Sequence, residues 1–438
     1  MNIYPAACAI CSTPTLSMAA DERDRDARPG RSAQAGMNDF VGESARDNPQ
    51  QATPDIRVGW LGHKSRTIGD GLRTYSREVT NGLADRNVEI LFIHHEESLA
   101  DGRSSHALDG KPMFQRRFTL AGIGARSKLE GLLREYEVDL VHVSAPFSTL
   151  DFRLPAVCHR LGIPIVVTYH VPFARELSGW GALAAFVNRL YVRPLSACDR
   201  VIVSGQAQRH LLVSLGVPDR VMTVIPNGVD TDKYSPGPSP ALETLGADRL
   251  FSFIGRIDPE KGVESLLQAF LDTSPPPSLR LVIAGDGVDL TRLRRRFQDR
   301  RIVFLGAVLD EQLRIQILRA SDAFFLPSRL EAFSFALLEA MACGVAVAAT
   351  SVGNHTEALQ DAGVLLSNSS LRDDLRSTIR MFIETPARCR SMGARARERA
   401  AGQFSLKVYL DRLIALYGEL MGHTSHQQPA PAADRSIG

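Results

Sequence analysis

The chain has 438 residues, 44% of them hydrophobic and 23% charged, with a formal net charge of +2. That length favours two domains, and the near-neutral balance excludes the basic footprint of a nucleic-acid binder. No apolar run approaches the roughly 20 residues that span a bilayer, and six scattered cysteines suit a reducing cytoplasm.

Residues 1–54 have little periodic pattern, and the mixed-charge run DERDRDARPGR at 21–31 reads as a disordered extension. A signal peptide is not expected, because no Lys or Arg precedes the apolar stretch and Pro5 and Pro14 interrupt it. Cys8 and Cys11 form a lone CxxC with no second pair, which reads as chance.

A first domain is expected from residue 56. Residues 56–61, IRVGWL, read as a buried strand, followed by a loop and by Leu72, Tyr75, Val79 and Leu83 at helical spacing. Gly69 and Gly71 stand at the loop's end. Without a Cβ they let backbone approach a ligand, or simply make a strand-to-helix turn. Residues 88–94 and 139–143 read as strands, 99–111 as a polar loop and 128–136 as a helix. Residues 163–170, IPIVVTYH, form an apolar β-branched run that ends on a histidine. Strand carboxyl ends of a parallel sheet face the ligand crevice. His170 is therefore a site candidate, weighed against a satisfied core histidine, whereas His63 and His142 read as structural. Residues 173–195 are amphipathic, with Arg175, Arg189 and Arg193 nearby. They fit a packed helix or, more sharply, a membrane-surface or acceptor-facing element. A strand at 199–204, a helix at 206–215 and a strand at 221–225 close the domain.

Pro226-Asn227-Gly228 is a turn signal. Asp230 and Asp232 have a metal-ligating spacing, but they lie directly before the Pro-rich SPGPSP with no adjacent strand, so no metal site is expected.

The second domain begins with a strand at 250–255, the segment RIDPEKG at 256–262 and a helix at 263–271. Arg256 and Lys261 beside a helix start make a diphosphate cradle, since Arg grips phosphate oxygens bidentately and Lys adds a point charge. Two solvated surface cations are the plainer alternative. A strand at 279–285 ends in Gly285-Asp286-Gly287. The basic run 292–301 fits a solvated helix face or an anionic-membrane contact. A strand at 302–305 leads to the turn Gly306-Ala307-Val308. Residues 323–326 read as a strand, followed by a loop carrying Glu331. Ser334 is a plausible N-cap, which leaves the helix start receptive to anions. The helix 335–342, FALLEAMA, is apolar on nearly every side and so buried. Glu339 sits inside it, and a buried carboxylate is costly unless paired. A strand at 345–350 and a tight loop at Gly353 follow, with Glu357 read as structural. Residues 405–421 form a last amphipathic helix, and 423–438 a disordered tail.

The segment EAFSFALLE resembles the Glu-x7-Glu motif of retaining glycosyltransferases of family 4. RIDPEKG after Gly255 is similar to that family's GRxxxxKG element, and IPNGVDTDKYSP to its interdomain stretch. The resemblance covers residues 56–421. It implies an α/β GT-B fold, with two Rossmann-like domains facing across a cleft. Residues 55–235 would bind the acceptor and 236–404 the nucleotide-sugar, while helix 405–421 crosses back to the first domain. The implied reaction is metal-independent, retaining transfer of a hexosyl group from a nucleotide-sugar to a hydroxyl of a lipid, glycan or small polyol, with no cofactor. By the same resemblance His170, Arg256, Lys261 and Glu331 act at the reacting centre. Gly69, Gly71, Val308, Phe333, Ser334, Phe335, Leu338 and Glu339 join them in holding the donor, with Glu331 on the sugar and Glu339 on the ribose. The sequence departs from the family where Asp70 separates the two glycines, where Ser334 replaces a glycine and where Asn354 replaces the second of a Gly-Gly pair. The implied setting is the cytoplasm, with peripheral contact at the inner face of a membrane and no nucleic acid. A non-catalytic nucleotide-sugar-binding regulatory or partner subunit is the rival class. A nicotinamide enzyme is disfavoured because no GxGxxG follows IRVGWL.

Overall fold

The computed structural model describes residues 55–63, 71–95, 105–113, 118–172 and 179–425. Gly69, Asp70, Arg175, Cys8, Cys11, the expected disordered extension 1–54 and residues 426–438 lie outside them, whereas residues 423–425, expected in a disordered tail, end the last helix.

Short β-branched runs bounded by Gly, Pro and Asp become strands here, and longer runs of period 3.6 become the helices between them. The first domain runs β1 (Ile56–Leu61), α1 (Gly71–Ala84), β2 (Val88–His94), β3 (Ser105–Ala107), β4 (Gly110–Met113), β5 (Phe118–Ala121), α2 (Ala125–Glu135), β6 (Leu140–Ala145), α3 (Leu154–Leu161), β7 (Ile165–Tyr169), α4 (Gly179–Ser196), β8 (Arg200–Val203), α5 (Gln206–Ser214) and β9 (Met222–Val224). Its sheet is ordered β3-β2-β1-β6-β7-β8-β9, with every pair parallel. The segment expected to be a polar loop at 99–111 instead supplies the edge strand β3 and starts the β4–β5 hairpin. A three-residue polar edge strand has no apolar alternation to reveal it.

The second domain runs α6 (Ala241–Leu245), β10 (Arg249–Ile254), α7 (Val263–Asp272), β11 (Leu279–Ala284), α8 (Leu290–Arg296), β12 (Ile302–Gly306), α9 (Glu311–Ala320), β13 (Ala323–Leu326), α10 (Phe335–Ala342), β14 (Ala346–Thr350), α11 (His355–Leu359), β15 (Gly363–Leu366), α12 (Leu371–Glu384) and α13 (Pro386–Gln403). Its parallel sheet is ordered β12-β11-β10-β13-β14-β15. Both sheets are Rossmann-like, and in each the strand order reverses beside the first strand. The reversal falls between β1 and β6 in one sheet and between β10 and β13 in the other. Ligand crevices open at the strand carboxyl ends of such switch points.

The last helix, α14 (Leu406–Ser425), packs on the first domain. Its Tyr409, Leu410, Leu413 and Tyr417 share one core with Ile56, Val58, Trp60, Tyr75 and Val79. Three tyrosine hydroxyls, a histidine and a threonine form one hydrogen-bonded group there. The Tyr417 hydroxyl lies 2.5 Å from His142 Nδ1, and His142 Nε2 lies 2.8 Å from Thr168 Oγ1. The Tyr75 hydroxyl donates to Thr168 Oγ1 at 2.9 Å and lies 2.6 Å from the Tyr409 hydroxyl. His142 is thus structural, as its sequence context suggested. Among the described residues no helix is long and apolar enough to cross a membrane.

Candidate functional site

β10 ends at Ile254, and the chain turns through Arg256 into a tight 3-10 turn, Pro259–Lys261. Gly262 follows at φ +67°, and a Cβ there would lie 2.1 Å from Pro327 O. Only glycine lets this turn press against the loop that leaves β13. The Arg329 amide, donating to Glu260 O at 2.7 Å, ties the two loops together. The outcome is an ion pair between Lys261 Nζ and Glu331, whose side chains are only 12% and 14% exposed. Ser328 Oγ also donates to Glu331, at 3.2 Å. Burial works against ionisation of Glu331. Lys261, His355 and the Ser328 bond outweigh it, and the carboxyl sits below its usual range.

Arg256 pairs with Asp258 and, at 3.0 Å, with Glu260. Asp258 also accepts the Val288 amide at 3.2 Å, so it joins this turn to the glycine turn after β11. These acids were missed in the sequence reading. The readable signal was a carboxylate two and four positions after Arg256, on one turn.

Ser334 does cap α10, its Oγ accepting the Leu337 amide at 3.4 Å. The first amides of a helix have no partner within it. Those of Phe335 and Ala336 are therefore the ones α10 can turn toward an anion. Leu338 offers less than expected. Its side chain is fully buried in the second core and its amide goes to Ser334 O at 3.4 Å. Glu339 is buried one turn further on. Burial raises its pKa, and Arg314 and Tyr234 offset this only in part. Phe333 is buried, its ring 6.1 Å from that of Phe404. Val308 packs half-buried on the second core, at the turn after the edge strand β12.

On the first-domain side, His170 follows β7, and its amide donates to Ala145 O at 2.9 Å. Its ring meets Tyr75 edge-on at 4.6 Å, and Tyr75 in turn lies 6.5 Å from Phe335 at the start of α10. His170 Nε2 is buried with no protein partner among the described residues. Burial, then the nearby His63, lowers its pKa to about 3. The ring is therefore neutral at pH 7, a hydrogen-bonding group rather than a charge. Gly71 opens α1. The Asp230 carboxylate accepts the amides of Asp232 and Lys233 at 3.1 and 3.0 Å, so it closes a turn.

The structure thus places Arg256, Lys261 and Glu331 on the loops that leave β10 and β13 at the second domain's switch point, with Ser334, Phe335 and Glu339 on the helix that follows, and Phe335 faces Tyr75, whose ring meets His170. Residues 69–233 match Glycosyltransferase Family 4, and residues 241–399 match Glycosyl transferases group 1. A D-inositol 3-phosphate glycosyltransferase from Mycolicibacterium smegmatis is 32% identical over 297 residues, 63% of this chain and 67% of that protein. The chain belongs to the family 4 type of glycosyltransferases. A protein of the same name from Segniliparus rotundus is 31% identical, across 59% of this glycosyltransferase and 61% of its own length. Among solved structures, Anabaena HepE in complex with UDP-glucose aligns with a TM-score of 0.67 at 19% identity, covering 83% of this chain and 100% of that one. That likeness carries the fold, GT-B.

Proposed function

We propose that this glycosyltransferase moves a hexosyl group, with retention, from a uridine-diphosphate sugar to an acceptor hydroxyl. The observation that carries this reading is the turn bearing Arg256 and Lys261, pressed through Gly262 against the loop that carries Glu331 and leads into α10. Two cations and the free amides of a helix start converge where a leaving diphosphate would gather charge. Stabilising charge as it develops is the largest single contribution to many catalysed reactions. Donor phosphates would compete with Asp258 and Glu260 for Arg256, and with Glu331 for Lys261. Glu331 would then accept sugar hydroxyls, a task suited to a carboxylate with several lone pairs. Glu339 would take the ribose hydroxyls in the same way, and neutral His170 a further hydroxyl. In the proposed step the bond from anomeric carbon to phosphate oxygen breaks. The acceptor oxygen bonds on the same face, and its proton passes to the leaving phosphate. Charge neutralisation by these residues makes an added metal unnecessary in this scheme. HepE's bound UDP-glucose supports uridine as the base, and the inositol-phosphate relatives support a small polyol phosphate among the acceptors.

We further propose a cytoplasmic enzyme that touches an anionic membrane through α4. Leu183, Phe186 and Leu190 lie 44%, 64% and 48% exposed, spaced three and four apart on one face. Exposed Arg189 and Arg193 flank them, and the helix carries no acid. That pairing of apolar stripe and positive flank suits an interfacial helix.

A thermal-shift panel of UDP-, GDP- and ADP-sugars, followed by product detection with the best donor, tests the reaction. Lys261→Ala should lower transfer by about a hundredfold or more, the usual loss for one charge-stabilising group, with the fold intact. Unchanged turnover in that variant would refute the cradle.

A further inference from the structure

Glu357 reads in the sequence as a structural residue of the second domain. Its carboxylate instead reaches into the first domain. Its two oxygens accept the backbone amides of Gln206 and Ala207, each at 2.8 Å. These amides open α5, whose own N-cap, Gly205, has no side chain to supply. An ionised acid at a helix start gains both charge-assisted hydrogen bonds and the favourable end of the helix dipole. Beside it, Asn354 Nδ2 donates to Ser204 Oγ at 2.7 Å. The fit there is tight, since a Cβ on Gly205 would lie 2.4 Å from Asn354 Cγ. Glu357 stands on firm ground in its own domain, because Arg399 donates to Glu357 O and Ala358 O at 2.7 and 2.6 Å.

Both ends of this contact lead to the reacting centre. On the second-domain side, Gly353 lies at φ +54°, and a Cβ there would come within 2.5 Å of Glu331 O. The Asn354 amide donates to Ala332 O at 3.1 Å. The backbone beside Glu331 and the backbone that carries Asn354 and Glu357 are therefore in direct contact. On the first-domain side, Gln208 of α5 donates to Tyr169 O at 3.2 Å and to Val171 O at 3.1 Å. It brackets His170 between those two carbonyls.

We infer that Glu357 is a positioning residue, a latch that caps α5 from the opposite domain and so fixes His170 relative to Glu331 when the two domains meet. This rests on the reading of the cleft as a glycosyl-transfer site. The latch touches no reacting group. Its loss should misalign the two halves of the site while the donor cradle, which lies wholly in the second domain, stays intact.

The test uses the full chain, with Glu357→Ala on one side of the contact and Gln206→Pro on the other. Proline is well accepted at a first helical position and deletes one of the two amides. Gly205 before it is already extended, at φ −173° and ψ 168°, as a residue preceding proline should be. Each variant should lower kcat about tenfold and leave the dissociation constant for UDP within about threefold. Small-angle scattering should show a larger mean separation of the domains. The double variant should be little worse than either single one, because both remove the same contact. Unchanged kcat with unchanged scattering in Gln206→Pro would overturn the latch, as would fully multiplicative losses. If Glu357→Ala fails to fold, Gln206→Pro in the other domain still decides the question. If wild-type protein transfers no sugar, the functional reading falls, and the scattering comparison judges the latch alone.

Discussion

Two histidines and two glutamates largely withdrawn from water show how position overrides residue type. Burial pushes His142 and His170 down to about 3 from an ordinary 6.5. Both are therefore neutral in the folded chain across the range in which the unfolded chain protonates. Between about pH 6.5 and 3 the unfolded state binds more protons, so stability falls as pH falls. Each histidine contributes about 1.4 kcal/mol per pH unit inside that window. Urea midpoints should drop steeply from pH 7 to pH 5, and His142→Gln should halve the slope that comes from these two groups. A flat profile in wild-type protein would contradict their burial as neutral rings. Glu331 and Glu339 diverge for a related reason. Both are largely withdrawn from water, but Lys261 together with His355 and Ser328 overcomes that at Glu331, whereas Arg314 and Tyr234 do not at Glu339. The eight-residue spacing marked both acids. It carried no sign that Lys261, 70 residues earlier, was the partner of one of them.

At the scale of elements, α10 was fully legible. Its apolar residues, its Ser334 cap and the Pro327 break before it are local signals, and local signals survive folding. β3 was not legible, because a short edge strand is stabilised by pairing with β2 and not by its own pattern. α4 was legible as a helix but ambiguous in purpose, since an apolar stripe can face a core or a bilayer. The structure shows Leu183, Phe186 and Leu190 turned outward while Tyr191 and Leu195 fill the core. Replacing Phe186 and Leu190 together by Ser should therefore leave the melting temperature within a few degrees. It should also sharply reduce co-sedimentation with vesicles containing anionic phospholipid. Equal vesicle binding by wild-type and variant would remove α4 from the proposed membrane contact.

At the scale of the whole molecule, α14 follows the second domain in sequence yet completes the core of the first. Truncation after residue 405 would strip Tyr409, Leu413 and Tyr417 from that core, leave His142 Nδ1 without its partner and reduce Tyr75 to its bond with Thr168. An unpaired buried polar group costs about 1–3 kcal/mol, and each lost large apolar side chain about 2–5. The truncated chain should lose cooperative unfolding of its first domain, seen as an early transition in calorimetry. Preserved two-domain melting would refute this account.

Composition, period and a few spaced charges determined by themselves the two α/β domains, most breaks between elements and the charged turn at Arg256 and Lys261. These depend on neighbours within a helical turn or a strand, where spacing along the chain translates directly into spacing in space. Which acid meets which cation, which histidine is bracketed by Gln208 and which domain Glu357 caps depend on contacts between residues tens to hundreds of positions apart. The first two exist only once a sheet has formed within one domain and the third only once the two domains meet, so only the tertiary structure decided them.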